Sequence, residues 1–442
     1  MVSIGYREAP IDPESTERLA AAGLTLGLVD TSDADSYTRW LHSESRGFHG
    51  GRPSQESLDA QLAGHAHHRT TGVWDDSAAD AASPVATVAS WPTELTVPGH
   101  SSVTAWAISA VTVAPTHRRK GIARALLEAE LRTADALGLP VAMLTVSEAT
   151  IYSRYGFAPA AMSADWSINT QRAKWVGPAA SGRVQFVTLE QLRVEGHALI
   201  ERVRLQVPGQ IQFAGFFWER LLGLNIEDKE LSKQLRFVRY DDSAGTAQGF
   251  AIYRVTETEN DFSAHLLELR YLVTATDDAY AGLWRYILDM DLVSVVKAPL
   301  RSVDEAIAWQ VSDFRAAHKT GERDHLWVRI LDVSAALSAR RYASPGQLVL
   351  EIEDPLGFAA GRVLLTIEPD GSATALPFDG PIPDAAAAVA LGVNELSAIY
   401  LGGVSAATLA RAGRITELSE GSALAIDISF SSTTKPWLSI WF

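Results

Sequence analysis

The spacing of hydrophobic residues changes sharply between positions 102 and 146. Residues 102–113 are rich in β-branched and small apolar side chains and predict a strand. After a short polar break, apolar residues recur at helical spacing over 122–134, and Gly138 predicts the end of that helix. Residues 141–146 are again apolar and predict a strand. The pattern therefore predicts a strand, a polar loop, a helix and a second strand in immediate succession.

The same order of elements recurs further along the chain. Residues 85–91 predict a strand ahead of the first pattern, and the small polar residues of 75–83 predict a loop. Between residues 161 and 322 the sequence predicts a helix, three strands, a helix and a short strand. This repetition predicts a second unit with the layout of the first. These later elements are predicted at residues 192–207, 235–240, 249–255, 266–273, 279–289 and 293–296.

The last part of the chain predicts a third unit of mixed strands and short helices. Asp370 and Gly371 separate two apolar runs and are typical of a tight hairpin turn. The predicted fold class is therefore α/β (α+β), with domains at 1–160, 161–322 and 323–442. Strands are predicted at 324–333, 347–354, 361–369 and 372–376, and helices at 385–391 and 404–412.

Composition narrows the class of protein and of partner. A chain of 442 residues is long enough for about three domains. It contains no cysteine, has no run apolar enough to span a membrane and shows no signal-peptide core near its start, so we expect a cytoplasmic protein. The net charge of −15 disfavours nucleic acid as a partner and leaves room for a cationic substrate.

Common catalytic and metal-binding motifs are missing from the sequence. It has no H-E-x-x-H, no G-x-S-x-G and no phosphate-binding P-loop motif. The three histidines between His65 and His68 are the nearest approach to a metal site, but no carboxylate lies at ligand spacing beside them. We expect these histidines to form a solvated helix end or loop, and we expect no metal.

The polar loop ahead of the predicted helix has the chemistry of an anion site. Arg118, Arg119 and Lys120 precede Gly121, and the first turn of a helix leaves backbone N–H groups unpaired beside the positive end of the helix dipole. An ordinary amphipathic helix with a solvated basic start is the alternative interpretation. The corresponding loop at 274–278 ends in two aspartates, which would repel a phosphate.

These residues carry a resemblance to a known family. Arg118, Gly121 and Ala123 match the acyl-CoA-binding motif [QR]-x-x-G-x-[GA] of the GNAT acetyltransferase superfamily, and residues 152–157 resemble its Y-x-x-x-G-F segment. The complete arrangement resembles the Eis (enhanced intracellular survival) family. That resemblance implies two GNAT-like domains, a sterol-carrier-protein-like domain, assembly as a homo-oligomeric hexamer, and N-acetylation of aminoglycosides or lysines.

The resemblance also implies roles for individual residues. Val111 and Val113 match the strand that binds the pantetheine arm and thioester of acetyl-CoA. Tyr152 matches a general acid, and Phe442 matches a terminal residue whose α-carboxylate acts as a base. The pyrophosphate loop is matched by Arg118, Arg119, Gly121 and Ala123.

Several alternatives remain open from the sequence. Tyr155 is a rival for the acid role, and Tyr152 could be a packing residue, as half-buried tyrosines commonly are. The apolar run 437–442 is unusual for a solvated tail, which favours a packed position for it. The acceptor could be a protein lysine, or the third unit could bind a lipid. Candidate acceptor-binding aromatic residues are Trp40, Phe48, Trp91, Trp106 and Trp441.

Overall fold

The computed structural model describes residues 5–65, 67–213, 215–226, 228–258 and 261–442. The chain divides into two compact units. The first unit comprises residues 1–160, 326–432 and 442, and the second unit comprises residues 161–325 and 433–441. The last large segment of the chain therefore belongs to the first unit.

The N-terminal segment of the first unit contains strands that pair into a sheet, with helices between them in sequence. Strands β1 to β4 pair antiparallel in sequence, and β4 then pairs parallel to β5. The predicted order of strand, loop, helix and strand is confirmed. The elements are α1 (Pro13–Ala20), β1 (Thr25–Leu28), α2 (Ala34–Gly47), α3 (Gln55–His65), β2 (Arg69–Trp74), β3 (Ala86–Val97), β4 (Ser101–Val113), α4 (Ile122–Ala136), β5 (Val141–Thr145) and α5 (Ala149–Tyr152). The next strand, β6 (Ala158–Asn169), belongs mostly to the second unit.

Strands β4 and β5 separate after only three paired residues. Residues 105–107 of β4 pair with 141–143 of β5, and no pairing between these two strands continues beyond them. On its other side β4 has a bulge, where Ala110 and Val111 lie opposite the single residue Val88. Ala110 has a φ of +54°, in the left-handed region that residues with a Cβ seldom adopt. The bulge and the separation open a cleft at the carboxyl ends of the two strands.

Helix α4 packs its apolar face on this sheet. Its buried residues include Ile122, Leu126, Leu127 and Leu131, as the helical spacing predicts. Gly138 follows the helix with a φ of +69°, which is the left-handed conformation expected of a residue that ends a helix. The packed face fixes the helix and leaves its first turn at the cleft.

The second unit has the same sequence of elements. Here β10 pairs parallel to β11 over four residue pairs, with α9 between them in sequence, so the predicted repetition is confirmed. The remaining pairs, β6–β11, β9–β10, β8–β9 and β7–β8, are antiparallel. The elements are β7 (Arg183–Phe186), α6 (Leu189–Arg204), α7 (Gly215–Leu221), α8 (Lys229–Gln234), β8 (Arg236–Asp241), β9 (Ala247–Thr256), β10 (His265–Thr274), α9 (Asp277–Leu288), β11 (Val293–Arg301) and β12 (Ala317–Ile330).

The C-terminal segment of the first unit contains a five-stranded sheet in the order β15, β14, β13, β16, β17. The predicted hairpin at Asp370 and Gly371 joins β14 to β15, and the predicted helix at 404–412 is α12. The elements are α10 (Val333–Ala339), β13 (Gly346–Glu353), β14 (Gly361–Ile367), β15 (Ala373–Pro377), β16 (Ala387–Gly392), α11 (Val393–Ile399), α12 (Ala406–Arg411), β17 (Ile415–Glu417) and α13 (Ser422–Phe430).

The predicted helix at 385–391 is wrong. These residues form β16, a central strand that pairs parallel to β13 and antiparallel to β17. The alanine-rich run favours a helix by local propensity, but pairing on both sides and burial of Ala388, Val389 and Leu391 override that preference. Among the described residues, no helix combines the length and the apolar character needed to cross a bilayer.

Candidate active site in the first unit

A cavity of about 740 Å³ lies at the cleft of the first unit. It is lined by the end of α2, the bulged end of β4, the basic loop with the first turn of α4, and residues 147–155. Of the residues singled out in the sequence, nine line this cavity. They are Phe48, Val111, Val113, Arg118, Arg119, Gly121, Ala123, Tyr152 and Tyr155.

The basic loop presents donors to this cavity. Arg118, Arg119 and Lys120 are exposed, and Arg119 has a φ of +65°. Gly121 caps α4 with a φ of +78°, and no side chain caps the helix there. A Cβ added at Gly121 would meet no atom within 4 Å, so the space above it is open. The first-turn N–H groups, the helix dipole and the guanidinium groups therefore suit a phosphate or pyrophosphate.

Asp75 is a functional candidate that sequence reasoning missed. His117 Nε2 donates to its carboxylate over 3.0 Å, and Lys120 Nζ lies 4.0 Å from the same oxygen. Hydrogen bonds from Ser77, and then from His117, lower the pKa of Asp75 to about 2. The ionised carboxylate orients two side chains of the basic loop. Nothing in the local sequence indicates this contact, because the partners are 42 residues apart.

Tyr152 is buried at the floor of the cavity. Only 5% of its surface is exposed, and its ring packs edge-on against Phe157 with the ring centres 6.3 Å apart. Burial raises the pKa of the Tyr152 phenol, a hydrogen bond with Ser147 opposes this, and the charge of Glu148 raises the pKa further. Tyr152 is therefore protonated at neutral pH and can donate a proton. Tyr155 lines the same cavity, and burial raises its pKa as well.

Phe442 lies beside the end of β5 in the first unit. Thr145 Oγ1 donates a 2.8 Å hydrogen bond to the main-chain oxygen of Phe442. The Phe442 ring is edge-on to Trp91, with the ring centres 5.8 Å apart. Thr145 is the last residue of β5, so Phe442 lies at the end of that strand. Tyr152 lines the cavity, and Phe442 is not among the described residues that line it.

The histidine-rich stretch lies at the end of α3 and in the turn after it, as predicted, but His68 is packed and not solvated. His68 is 5% exposed and stacks on Trp91, with the ring centres 4.1 Å apart and the planes 11° from parallel. Burial lowers the pKa of His68 well below its usual value, so the ring stays neutral. Stacking on an aromatic ring explains the burial. Among the described residues, no group of three potential ligands is arranged to bind a metal.

The other aromatic candidates lie elsewhere. Trp106 is fully buried in the core with α4, and its Nε1 donates to Glu130 over 2.9 Å. Trp40 is buried, stacks on Tyr37 and donates to the carbonyl oxygen of Thr71. Both side chains therefore have packing roles. Trp441 belongs to the second unit, where its ring is edge-on to His325.

The corresponding loop of the second unit has the opposite charge. Thr276 caps α9, and Asp277 and Asp278 occupy its first turn. Asp278 accepts hydrogen bonds from Tyr240 and Ser181, and the bond from Tyr240 is the main reason that its pKa is lowered. Carboxylates thus stand where the first unit has its basic loop, so the fold itself does not require the positive charges.

Comparison with known proteins agrees with this architecture. Acetyltransferase (GNAT) domain families match residues 29–160 and 209–330, and the sterol carrier protein domain family matches residues 333–439. An uncharacterized N-acetyltransferase of Streptomyces avermitilis is 34% identical over 408 residues, which cover 90% of this chain and 94% of that protein. These matches confirm the predicted fold class of two GNAT domains followed by a sterol-carrier-protein-like domain.

Two further relatives identify the family. N-acetyltransferase Eis of Mycobacterium tuberculosis is 34% identical over 350 residues, which cover 76% of this chain and 81% of Eis. The crystal structure of Eis1 from Mycobacterium abscessus superimposes with a TM-score of 0.78 at 28% identity, over 95% of this chain and all of Eis1. The chain therefore belongs to the Eis family of GNAT enzymes and is an N-acetyltransferase.

Proposed function

We propose that the protein transfers the acetyl group of acetyl-CoA to an amine of an aminoglycoside or a similar polyamine. The observation that carries this proposal is the single cavity that joins the basic first turn of α4 to the Tyr152 phenol. The net charge of −15 favours a polycationic acceptor, since the field of the protein raises the local concentration of cations. The family resemblance supports the further proposal of a hexamer. A cytoplasmic location is proposed from the cysteine-free composition.

The residues around the cavity fit acetyl-CoA. Arg118, Arg119 and the open backbone at Gly121 and Ala123 would bind the pyrophosphate, because they combine positive charge with unpaired N–H groups. The exposed edge of β4 at Val111 and Val113 would bind the pantetheine arm, because β4 and β5 have separated there. Bound acetyl-CoA supplies the thioester that an amine attacks.

Two groups of the protein, one carboxylate and one phenol, would transfer the protons in this reaction. An amine acceptor is mainly protonated at neutral pH and must lose a proton before it attacks. The α-carboxylate of Phe442, oriented by Thr145, would accept that proton. The leaving thiolate also needs a proton. The Tyr152 phenol would donate it, because burial raises the pKa of this phenol and keeps it protonated at neutral pH.

The acid role of Tyr152 is tested against Tyr155, which lines the same cavity. We expect Tyr152→Phe to lower kcat by about a hundredfold, the usual contribution of one general acid, and to leave the KM for acetyl-CoA within twofold. Tyr155→Phe is the matched control and should retain most of kcat. The measurement is thiol release from acetyl-CoA with a kanamycin-like polyamine. The reverse order of the two variants would assign the acid role to Tyr155.

The base role of Phe442 is tested by moving the carboxylate. A chain extended by two alanines beyond Phe442 keeps every side chain but places the α-carboxylate elsewhere. We expect kcat at pH 7 to fall at least tenfold, with partial recovery at higher pH, where more of the acceptor amine is already deprotonated. An extended chain with full activity at pH 7 would exclude the carboxylate as the base.

The alternative acceptors and ligands give different results in the same assay. A protein-lysine acetyltransferase would release thiol with lysine-rich peptides and not with polyamines. A lipid-binding protein without transferase activity would not release thiol, whichever amine is offered.

A further inference from the structure

The segment that carries Tyr152 has little structure of its own. Helix α5 (Ala149–Tyr152) is a single turn, and residues 153–155 continue it as one 3-10 turn. Isolated helical turns of this length are unstable, because nucleation costs more than one or two hydrogen bonds return. The position of the Tyr152 ring must therefore be set by contacts from other elements of the first unit.

Asn394 contacts the backbone directly after Tyr152. It lies in the first turn of α11, and its side-chain nitrogen Nδ2 donates to the carbonyl oxygen of Ser153 over 2.8 Å and to that of Phe157 over 2.9 Å. Ser153 begins the 3-10 turn and Phe157 lies two residues beyond its end, so one amide group links the start of the turn to the chain that follows it. These two bonds use both N–H groups of the amide.

A buried ion pair contacts the middle of the same segment. Arg329 is fully buried, and its Nε donates to the carbonyl oxygen of Tyr155 over 2.7 Å. Its Nη2 donates to both carboxylate oxygens of Asp354, over 2.9 and 2.7 Å. Gly156 has a φ of +87°, and a Cβ at this position would overlap the Arg329 side chain. The carbonyl groups of residues 153, 155 and 157 are thus all bound by side chains distant in sequence.

We propose that Asn394, assisted by the Arg329–Asp354 pair, is a positioning residue that sets the Tyr152 hydroxyl for proton transfer. Asn394 and Asp354 both belong to the C-terminal segment of the first unit. The sterol-carrier-like domain thereby influences proton transfer by Tyr152, through its hydrogen bonds to the backbone of residues 153–157. This inference rests on the proposed acid role of Tyr152.

The test is a kinetic comparison of two variants on α11. Asn394→Asp is nearly isosteric and replaces the donating amide by an acceptor. We expect it to lower kcat about tenfold, because a small displacement of a reacting group lowers the rate of the chemical step. The KM for acetyl-CoA should stay within twofold. Ser397→Ala is the matched control, since Ser397 bonds the N–H of Ile330 from the same helix and has no hydrogen bond to residues 153–157. It should leave kcat within twofold.

Asn394→Gln separates positioning from general destabilisation. A glutamine keeps the two donors on a longer arm and should recover part of the lost kcat. In the Tyr152→Phe background, Asn394→Asp should have no further effect on kcat, because the group it positions is gone. An equal tenfold loss in that background, or full activity of Asn394→Asp in the wild-type background, would overturn the inference. Full activity of Tyr152→Phe alone would instead overturn the proposed function.

Discussion

At the scale of one residue, His325 combines complete burial with a single hydrogen bond. It lies on β12 in the second unit, and its Nε2 donates to the carbonyl oxygen of Ile440 over 2.8 Å. Burial, as the largest cause, lowers the pKa of His325 to about 4, although the bond to Ile440 opposes the shift. An unfolded chain would protonate this imidazole near pH 6.5. Between these two values the unfolded state binds more protons than the folded state.

Stability should therefore fall as the pH falls from about 6.5 towards 4. The contribution of His325 is complete above the unfolded pKa and amounts to at most about 3 kcal/mol, because the pKa falls from about 6.5 to about 4 on folding. His325→Gln does not titrate and can still donate to Ile440. We expect its free energy of unfolding to change less with pH than that of the wild type, in urea titrations from pH 7.5 to 5.

An exposed histidine on the same strand provides the control. His318→Gln should reproduce the wild-type dependence on pH, since His318 lies on the exposed surface of β12. Equal slopes for His325→Gln and the wild type would contradict the assignment of this pH dependence to His325.

Single residues were predictable where the motif is local. Arg118, Gly121 and Tyr152 stand in short patterns, and all three line the cavity. Asp75 and Asn394 were not predictable, because their roles come from contacts with residues 42 and 241 positions away. Trp106 has the residue type of an acceptor site, but the sequence does not show which face of β4 it occupies.

At the scale of elements, the two ends of α4 offer a matched pair of glycines. Gly121 and Gly138 have φ values of +78° and +69°, and a Cβ at either would meet no atom within 4 Å. Substitution by alanine should cost about 1 kcal/mol at each position, since both backbones are left-handed. Only Gly121 lines the cavity.

The prediction is that Gly121→Ala raises the KM for acetyl-CoA at least tenfold and Gly138→Ala leaves it within twofold. The added methyl group at Gly121 would occupy the open space where an anion approaches the backbone. Urea unfolding should show similar losses of stability for the two variants, and thiol-release kinetics should separate them. A shared rise in KM would show that strain in α4, and not access to the backbone, limits binding.

Periodicity predicted the helix α4 and the strands beside it but not their irregularities. The bulge at Ala110 depends on the pairing of β4 with β3, and an alanine in the left-handed region carries no local signal. The prediction of a helix where the structure has β16 is wrong for a related reason. Its conformation is decided by β13 and β17 on either side, which lie far from it in sequence.

At the scale of the whole molecule, the acidic charge should govern how acceptors arrive. With a net charge of −15, the protein attracts polycations at long range, and dissolved salt weakens this electrostatic attraction. We expect kcat/KM for a polyamine, measured at saturating acetyl-CoA, to fall about tenfold between about 50 mM and about 500 mM salt. A simple monoamine is the control and should change much less. Equal salt dependence for the two acceptors would exclude long-range attraction as a source of selectivity.

The order of the domains could be predicted from the sequence, because residues 1–160 and 161–322 repeat the same pattern of elements. The second copy also shows that this fold does not require a basic loop before its helix. Its helix α9 begins with Asp277 and Asp278 where α4 follows a basic loop, and it is still fully formed. This comparison supports the proposal that the charges of residues 118–120 serve a ligand.

The most direct test of the account follows the acetyl group itself. Wild-type protein is incubated with acetyl-CoA labelled in the acetyl group and with a kanamycin-like polyamine, and the acceptor is analysed by mass spectrometry. The account predicts a labelled acceptor, with one thiol released for each acetyl group gained. Thiol release without label on the polyamine, or no release with any amine, would contradict it.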